Sequence, residues 1–213
     1  KYFMTDLFII TGISEGIGKS LYEKLSLSNV VIGTTSKKNL EDLSKKIVFL
    51  NLGADKLDTK KLLKVIYKIN FNRVFFFYNA VTYDNIENKD KLLKINYYNQ
   101  RYLFDSIKLK FQDKKYYKIF FSSFEIFNKQ SKMPYYKFSK ELFIKEFFEE
   151  KEKNYNITYK LFILGGVRTK TYLKNKKLSL IRRLITASTS NAAKFIISKT
   201  MTEKNDVFYF PKI

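Results

Sequence analysis

Short apolar runs alternate with longer stretches of mixed polarity along the whole chain. Phe8-Ile9-Ile10 predicts a strand, with a helix from Gly18 to Leu27 after it. Val30 to Gly33 predicts the next strand, followed by a helix around Leu40 to Lys45. The pattern repeats with a strand at Ile47 to Leu50 and a helix at Thr59 to Ile69. Val74 to Tyr78 then reads as a strand before a long helix from Lys91 to Leu109. Ile119 to Phe121 is a strand, and Tyr135 to Lys151 a second long helix. Ile157 to Leu164 and Val207 to Phe210 complete the strands, with a helix from Ala192 to Lys199 between them. Uninterrupted apolar strands separated by helices mean parallel strands covered on both faces. The expected fold is therefore α/β, a doubly wound parallel sheet of about seven strands. No internal repeat or linker interrupts residues 1–213, which read as a single domain.

Composition narrows the chemistry. The 213 residues contain neither Cys nor His, which removes disulfides, thiolate catalysis, imidazole acid/base chemistry and nearly every zinc site. No metal centre is expected. Lys and Arg number 41 against 20 Asp and Glu, a formal charge of +21 that raises the question of a nucleic-acid partner. Only five of those cations are Arg, and the abundance of Lys, Asn, Ile, Phe and Tyr is what AT-rich coding alone would produce. The basic residues are spread along the chain without a recognition motif, so no nucleic acid is expected. No apolar run approaches the length of a membrane span, and the amino-terminal run is short and broken by Asp6, a poor signal peptide. A cytoplasmic protein that binds small molecules, with no membrane partner, is the expectation.

Glycine clusters at one strand end. Thr11-Gly12-Ile13-Ser14-Glu15-Gly16-Ile17-Gly18 sits between the first strand and its helix. Such a turn reverses at its first Gly, lets a pyrophosphate approach the backbone at the second, and packs helix on strand at the third. Gly18-Lys19-Ser20 also resembles the end of a P-loop, but that motif would need Gly at position 13, which is Ile. An ordinary strand–helix turn is the bland alternative.

A Tyr and a Lys four apart share one helix face, where an ammonium can lower the phenol pKa. Two pairs occur, Tyr136/Lys140 and Tyr172/Lys176. A hydroxyl from a neighbouring strand end separates them: Ser123 stands thirteen residues before Tyr136, whereas Tyr159 stands thirteen before Tyr172.

Together these features resemble the short-chain dehydrogenase/reductase family in its compact single-domain form, a Rossmann-type fold. Tyr78-Asn79-Ala80-Val81 is similar to the family's Asn-Asn-Ala-Gly, with Val81 in place of Gly. Asn96 resembles the fourth member of the catalytic tetrad. Leu164-Gly165-Gly166-Val167-Arg168-Thr169 is similar to the segment beside the nicotinamide, with Leu164 in place of Pro.

The resemblance implies hydride transfer between a nicotinamide and a carbonyl or alcohol carbon. It makes Tyr136 the general acid/base, Lys140 its pKa partner and ribose ligand, Ser123 the polarising hydroxyl, and Asn96 the holder of a water that feeds protons to Lys140. It also implies cofactor contacts at Gly12, Ser14, Glu15, Gly16, Ile17, Gly18, Thr34, Thr35, Ser36, Lys37, Asn51, Leu52, Asn79, Ala80, Val81, Gly165, Val167 and Thr169. No acid occurs from Lys24 to Leu40, and Thr34-Thr35-Ser36-Lys37-Lys38 suits a 2′-phosphate, so NADP (as NADPH) is expected over NAD. Glu15 argues the other way, because NADP-preferring relatives often carry a basic residue there. A variable lid over the substrate is expected around 170–188, and its Lys and Arg suit an anionic substrate or merely follow composition. Apolar excess on the Asn96 and Tyr136 helices, at Phe138, Leu142, Phe143, Phe147 and Phe148, implies a homodimer or homotetramer. A catalytically idle nucleotide-binding relative acting as a sensor or protein-interaction module is the alternative function, although such relatives typically lose the Tyr or Lys kept here; a basic nucleic-acid-binding protein is the less favoured alternative.

Overall fold

The computed structural model describes residues 5–83, 88–153, 155–168 and 187–210. Within them, β1 (Thr5–Ile10) leads into α1 (Gly16–Leu25), β2 (Val30–Thr35), β3 (Ile47–Phe49), α2 (Lys60–Ile66) and β4 (Phe71–Tyr78). There follow α3 (Lys89–Leu93), a π-helical segment (Lys94–Tyr98), α4 (Asn99–Lys110), β5 (Lys115–Ser123), α5 (Pro134–Glu150) and β6 (Ile157–Leu164). A short β7 (Val167–Arg168) pairs in parallel with β8 (Ala187–Ser188), and α6 (Thr189–Thr200) then precedes β9 (Asp206–Phe210).

Seven strands form one parallel sheet in the order β3-β2-β1-β4-β5-β6-β9. Alternation along each strand divides the core. Leu7, Ile9, Val74, Phe76 and Tyr78 face one side with residues of α2, α4 and α5. Phe8, Ile10, Phe75 and Phe77 face the other with residues of α1 and α6. Central strands are apolar on both faces because both are covered, as the near-continuous runs imply. In β4, Val74 through Tyr78 are wholly buried, and each such Phe contributes about 1.5–3 kcal/mol relative to exposure.

Lys118 of β5 and Lys160 of β6 are exceptions, and Lys118 is held by an ion pair within the core. Its ammonium is buried against Glu146 of α5 at 2.5 Å, and the Tyr97 hydroxyl donates to the same carboxylate at 2.8 Å.

Two segments depart from the expected elements. The helix expected around Leu40 to Lys45 is absent. Lys38–Leu40 make one 3₁₀ turn, and Asp42 then accepts the backbone N–H of Ser44 at 3.1 Å and of Lys45 at 3.3 Å. Lys46 adopts φ 55°, and Asp42 bridges Ile47, so the chain turns back directly into β3. Asp competes here for the backbone hydrogen bonds that a helix would need. The long helix expected from Lys91 to Leu109 runs unbroken from Lys89 to Lys110, but it changes to π-helical hydrogen bonding at Lys94–Tyr98, and Asn96 lies inside that segment. Gln100 Nε2 satisfies the nearby carbonyls of Ile95 at 2.9 Å and Asn96 at 3.1 Å.

Candidate active site

The strand order reverses between β1 and β4, so the crossovers leave in opposite directions and open a crevice beyond the carboxyl ends of the strands. A cleft of about 1230 Å³ runs along this edge, from Lys37 after β2 to Met133 and Tyr136 at the start of α5.

The glycine turn forms its floor. Gly12 has φ +70°, and a Cβ there would meet Ala80 Cα at 2.7 Å, so the turn can approach the end of β4 only without a side chain. Gly16 has φ +65° and begins α1, and Glu15 before it makes no side-chain cap. The first-turn amides of α1 therefore remain open to an anion at the cleft. Asn79 clamps the turn: its Nδ2 donates to the carbonyls of Thr11 at 2.9 Å and Gly12 at 3.0 Å. Thr11 Oγ1 accepts the N–H groups of Asn79 and Ala80 and donates to Gln100 Oε1 at 2.6 Å. Gln100 Nε2 in turn reaches Ala80 O at 2.8 Å. One buried polar network thus ties the turn, the β4 end and the π segment together. Together these residues form an open cradle at the switch point.

At the β2 end, Thr34, Ser36 and Lys37 line the cleft. Thr35 does not. It is buried, its hydroxyl bonds Ser14 Oγ at 2.8 Å and accepts Lys37 N–H at 3.0 Å, so it shapes the β2 turn from behind. Glu41 and Asp42 are also turned away, Glu41 to Lys61 and the Phe49 N–H, Asp42 to its own turn. Asn51 and Leu52 line the wall after β3, with Asn51 Oδ1 holding Gly53 N–H at 3.0 Å.

The residues expected to do chemistry meet at the other end. The Ser123 hydroxyl, at the last position of β5, lies beside the Tyr136 phenol and accepts the N–H of Glu125 at 3.2 Å. Lys140, one turn along α5, lies 5.6 Å from the Tyr136 ring centre. Burial pushes Lys140 down to about 7. Burial also raises the Tyr136 phenol well above its usual value, nearby Tyr83 adds to the rise, and the Ser123 hydroxyl opposes it. The expected lowering of the phenol by Lys140 is thus outweighed, because a lysine buried this deeply is itself largely deprotonated just above neutrality.

Asn96 is fully buried behind the cleft wall. Its Nδ2 donates to Thr82 O at 2.9 Å and Ser139 Oγ at 3.1 Å, while its Oδ1 accepts Thr82 N–H at 2.7 Å. Both amide donors are spent on protein groups, so the side chain anchors the loop after β4. Gly18 is likewise behind the wall, packed on Asn79 and the Gly12 carbonyl.

The other expected contacts, Gly12, Ser14, Glu15, Gly16, Ile17, Asn79, Ala80, Val81, Gly165 and Val167, all line the cleft. Thr169 and residues 170–186 of the expected lid, with Tyr172 and Lys176, lie outside the described residues. Sequence reasoning missed Tyr83, Phe124, Glu125, Lys132 and Met133 on the wall, and the network residues Thr11, Thr82, Gln100 and Ser139. The one available signal was Gln100, a polar residue on the buried stripe of an amphipathic helix. Among the described residues, no group of three or more Asp or Glu could hold a metal ion, and no helix is long and apolar enough to cross a membrane.

A parallel seven-stranded sheet with a glycine turn at its switch point is a Rossmann-type fold of the kind found in short-chain dehydrogenases/reductases. Solved structures bear out that fold over nearly the whole chain. A Brucella melitensis short-chain dehydrogenase/reductase, described as a glucose/ribitol dehydrogenase, superposes with TM-score 0.76 at 12% identity, covering 97% of this chain and 95% of that one. A 4-hydroxyisoleucine dehydrogenase mutant complexed with NADH and succinate gives 0.75 at 15% identity over 96% of each chain. ElxO with NADP bound gives 0.70 at 16% identity over 97% of each. No protein-family profile and no curated protein matches the sequence.

Proposed function

We propose that this protein is an oxidoreductase of the short-chain dehydrogenase/reductase type, acting as an NADPH-dependent carbonyl reductase. The observation that carries the reading is the convergence of Ser123, Tyr136 and Lys140 on one end of a cleft that begins in a glycine turn, with the Lys140 ammonium 5.6 Å from the Tyr136 ring centre. Each of these residue types is common alone. Their convergence on one point beyond the strand ends is what a hydride-transfer site needs.

The cradle fits a nicotinamide dinucleotide. Gly12, Gly16 and the open first turn of α1 would take the pyrophosphate, and Asn51 and Leu52 would flank the adenine end. Ser36 and Lys37, with no acid at the β2 end, favour a 2′-phosphate and hence NADP. Glu15 at the α1 terminus weighs against that preference without offering a ribose ligand in place of the missing acid. When bound, the cofactor supplies the hydride to the carbonyl carbon.

The chain's own groups handle the oxygen and its proton. Ser123 donates a hydrogen bond that polarises the carbonyl. Tyr136 gives its phenolic proton to the oxygen as negative charge develops there, leaving an alcohol and a phenolate. Burial keeps Tyr136 protonated at neutral pH, which is the state needed for reduction. Lys140 would hold the nicotinamide ribose and return a proton to the phenolate. Asn96 contributes indirectly, by fixing Thr82 and Ser139 on either side of the site.

The test is NADPH oxidation against a panel of carbonyl compounds, with Tyr136→Phe as the diagnostic variant. Tyr136→Phe keeps the ring and loses the proton, so turnover should fall by roughly two to four orders of magnitude while NADPH binding, read by its fluorescence, persists. Comparable turnover in both proteins would overturn the assignment.

A further inference from the structure

We propose that Tyr83 is a positioning residue for Tyr136: its ring covers one face of the catalytic phenol, excludes water from it and holds it in register with Ser123. The value of this to catalysis rests on reading Tyr136 as the proton donor. The two rings stack with centroids 4.9 Å apart and planes 29° from parallel, an attractive offset geometry. Tyr83 is itself partly buried in the cleft wall, four residues after Asn79.

The stack is assembled by the backbone on both sides. Asn96 binds the N–H and the carbonyl of Thr82, so the peptide units flanking Thr82 are pinned and Tyr83 follows from a fixed point. The same amide donates to Ser139 Oγ, and that hydroxyl donates to the Tyr136 carbonyl at 2.6 Å. One buried side chain therefore connects the backbones that carry both rings. This gives the π segment a purpose: it displaces Asn96 from regular helical register at the point where the loop and α5 must be joined.

Among the described residues, the groups set against Tyr136 include Tyr83 on the loop, Ser123 at the end of β5, Glu125 just beyond it, and Lys140 on its own helix. Among the described residues, only the ring of Tyr83 lies flat on the phenol, so it limits how far water solvates a developing phenolate. With the ring gone, water would reach Tyr136 and the phenolate would form more readily. The phenol would also be free to rotate away from Ser123.

Nitration by tetranitromethane reports phenolate and access together and requires neither cofactor nor turnover. Wild type, Tyr83→Phe and Tyr83→Leu are treated at pH 8, and nitration at Tyr136 is quantified by peptide fragmentation, which separates it from Tyr135. One unit of lowered pKa is a tenfold gain in phenolate, so Tyr83→Leu should nitrate at least about tenfold faster at Tyr136. Tyr83→Phe keeps the stack and should match wild type within about threefold. Carbonyl reduction is measured in parallel: kcat should drop about tenfold in Tyr83→Leu alone, with loss of activity beginning at lower pH. An unchanged nitration rate in Tyr83→Leu would overturn the proposal. So would equal acceleration in both variants, since the hydroxyl rather than the ring would then be responsible. If the nitration pattern holds but wild type reduces no carbonyl, the shielding stands and the reductase reading falls. A circular-dichroism melt confirms that each variant is folded.

Discussion

Gly18→Ala tests the physical account of the cradle most directly, because its outcome runs against helix propensity. Gly18 lies in the first turn of α1, where Ala should stabilise a helix by up to about 1 kcal/mol. In the folded protein, however, the added Cβ would sit 2.2 Å from Asn79 Nδ2 and 2.4 Å from the Gly12 carbonyl oxygen. The second neighbour is backbone in a turn with φ +70° that is already pressed on Ala80, so it cannot retreat. Asn79 must swing out, and its bonds to Thr11 O and Gly12 O are lost. Two hydrogen bonds at about 1 kcal/mol each, plus about 1–3 kcal/mol of overpacking, less the propensity gain, leave a net destabilisation of about 2–4 kcal/mol. For a chain of this size that lowers Tm by roughly 9 °C. Thermal melts and urea titrations would measure it, with Gly53→Ala as control. A Cβ on Gly53 meets first the end of the Lys91 side chain at 3.2 Å, which can move, so that variant should stay within about 1 kcal/mol of wild type. If Gly18→Ala is as stable as the control, the close packing of α1 on the end of β4 is wrong.

Replacing Lys37 and Lys38 together with Ala should weaken NADPH binding at least tenfold and NADH little, read by fluorescence titration; equal losses would remove the basis for NADP preference. Lys140→Met should raise stability to urea most at pH 6 and progressively less toward pH 10. The buried lysine has a pKa depressed to about 7, so between there and its unfolded value the unfolded chain binds more protons and wild-type stability rises with pH. A gain independent of pH would contradict the burial of that ammonium. Tyr98, Tyr102 and Leu109 along the π segment and α4, with Phe138 and Phe148 on α5, are exposed, whereas Phe143 and Phe147 are buried beneath them. Tyr102→Glu combined with Phe138→Glu should therefore convert a dimer or tetramer to monomer in light scattering; a wild type that is already monomeric would refute the expected assembly.

The alternation of apolar strands and helices was legible in the chain because every central strand must be apolar on both faces, a demand that Phe75, Phe76 and Phe77 satisfy in consecutive positions. The glycine turn was legible for a related reason: Gly is favoured at the positive φ of positions 12 and 16, and a Cβ at 12 or 18 would collide with its neighbours, so the backbone constraint is written in residue type. The pairing of Ser123 with Tyr136 was legible through spacing. Tertiary structure alone decided what surrounds that pair. Asn96 acts through Thr82 and Ser139, partners that no periodicity joins, and Tyr83 reaches Tyr136 across a separation of more than fifty residues. The local helix expected around Leu40 to Lys45 failed because Asp42 found the backbone of its own turn and Ile47 found Asp42, a competition that propensity does not register. Burial of Lys118 beside Glu146, and of Lys140 where α5 packs on the strands, is likewise set by the assembled fold. Local sequence determines backbone conformation and which faces are apolar; the protonation of a buried group depends on what distant segments exclude from it, and water is excluded only by the assembled fold.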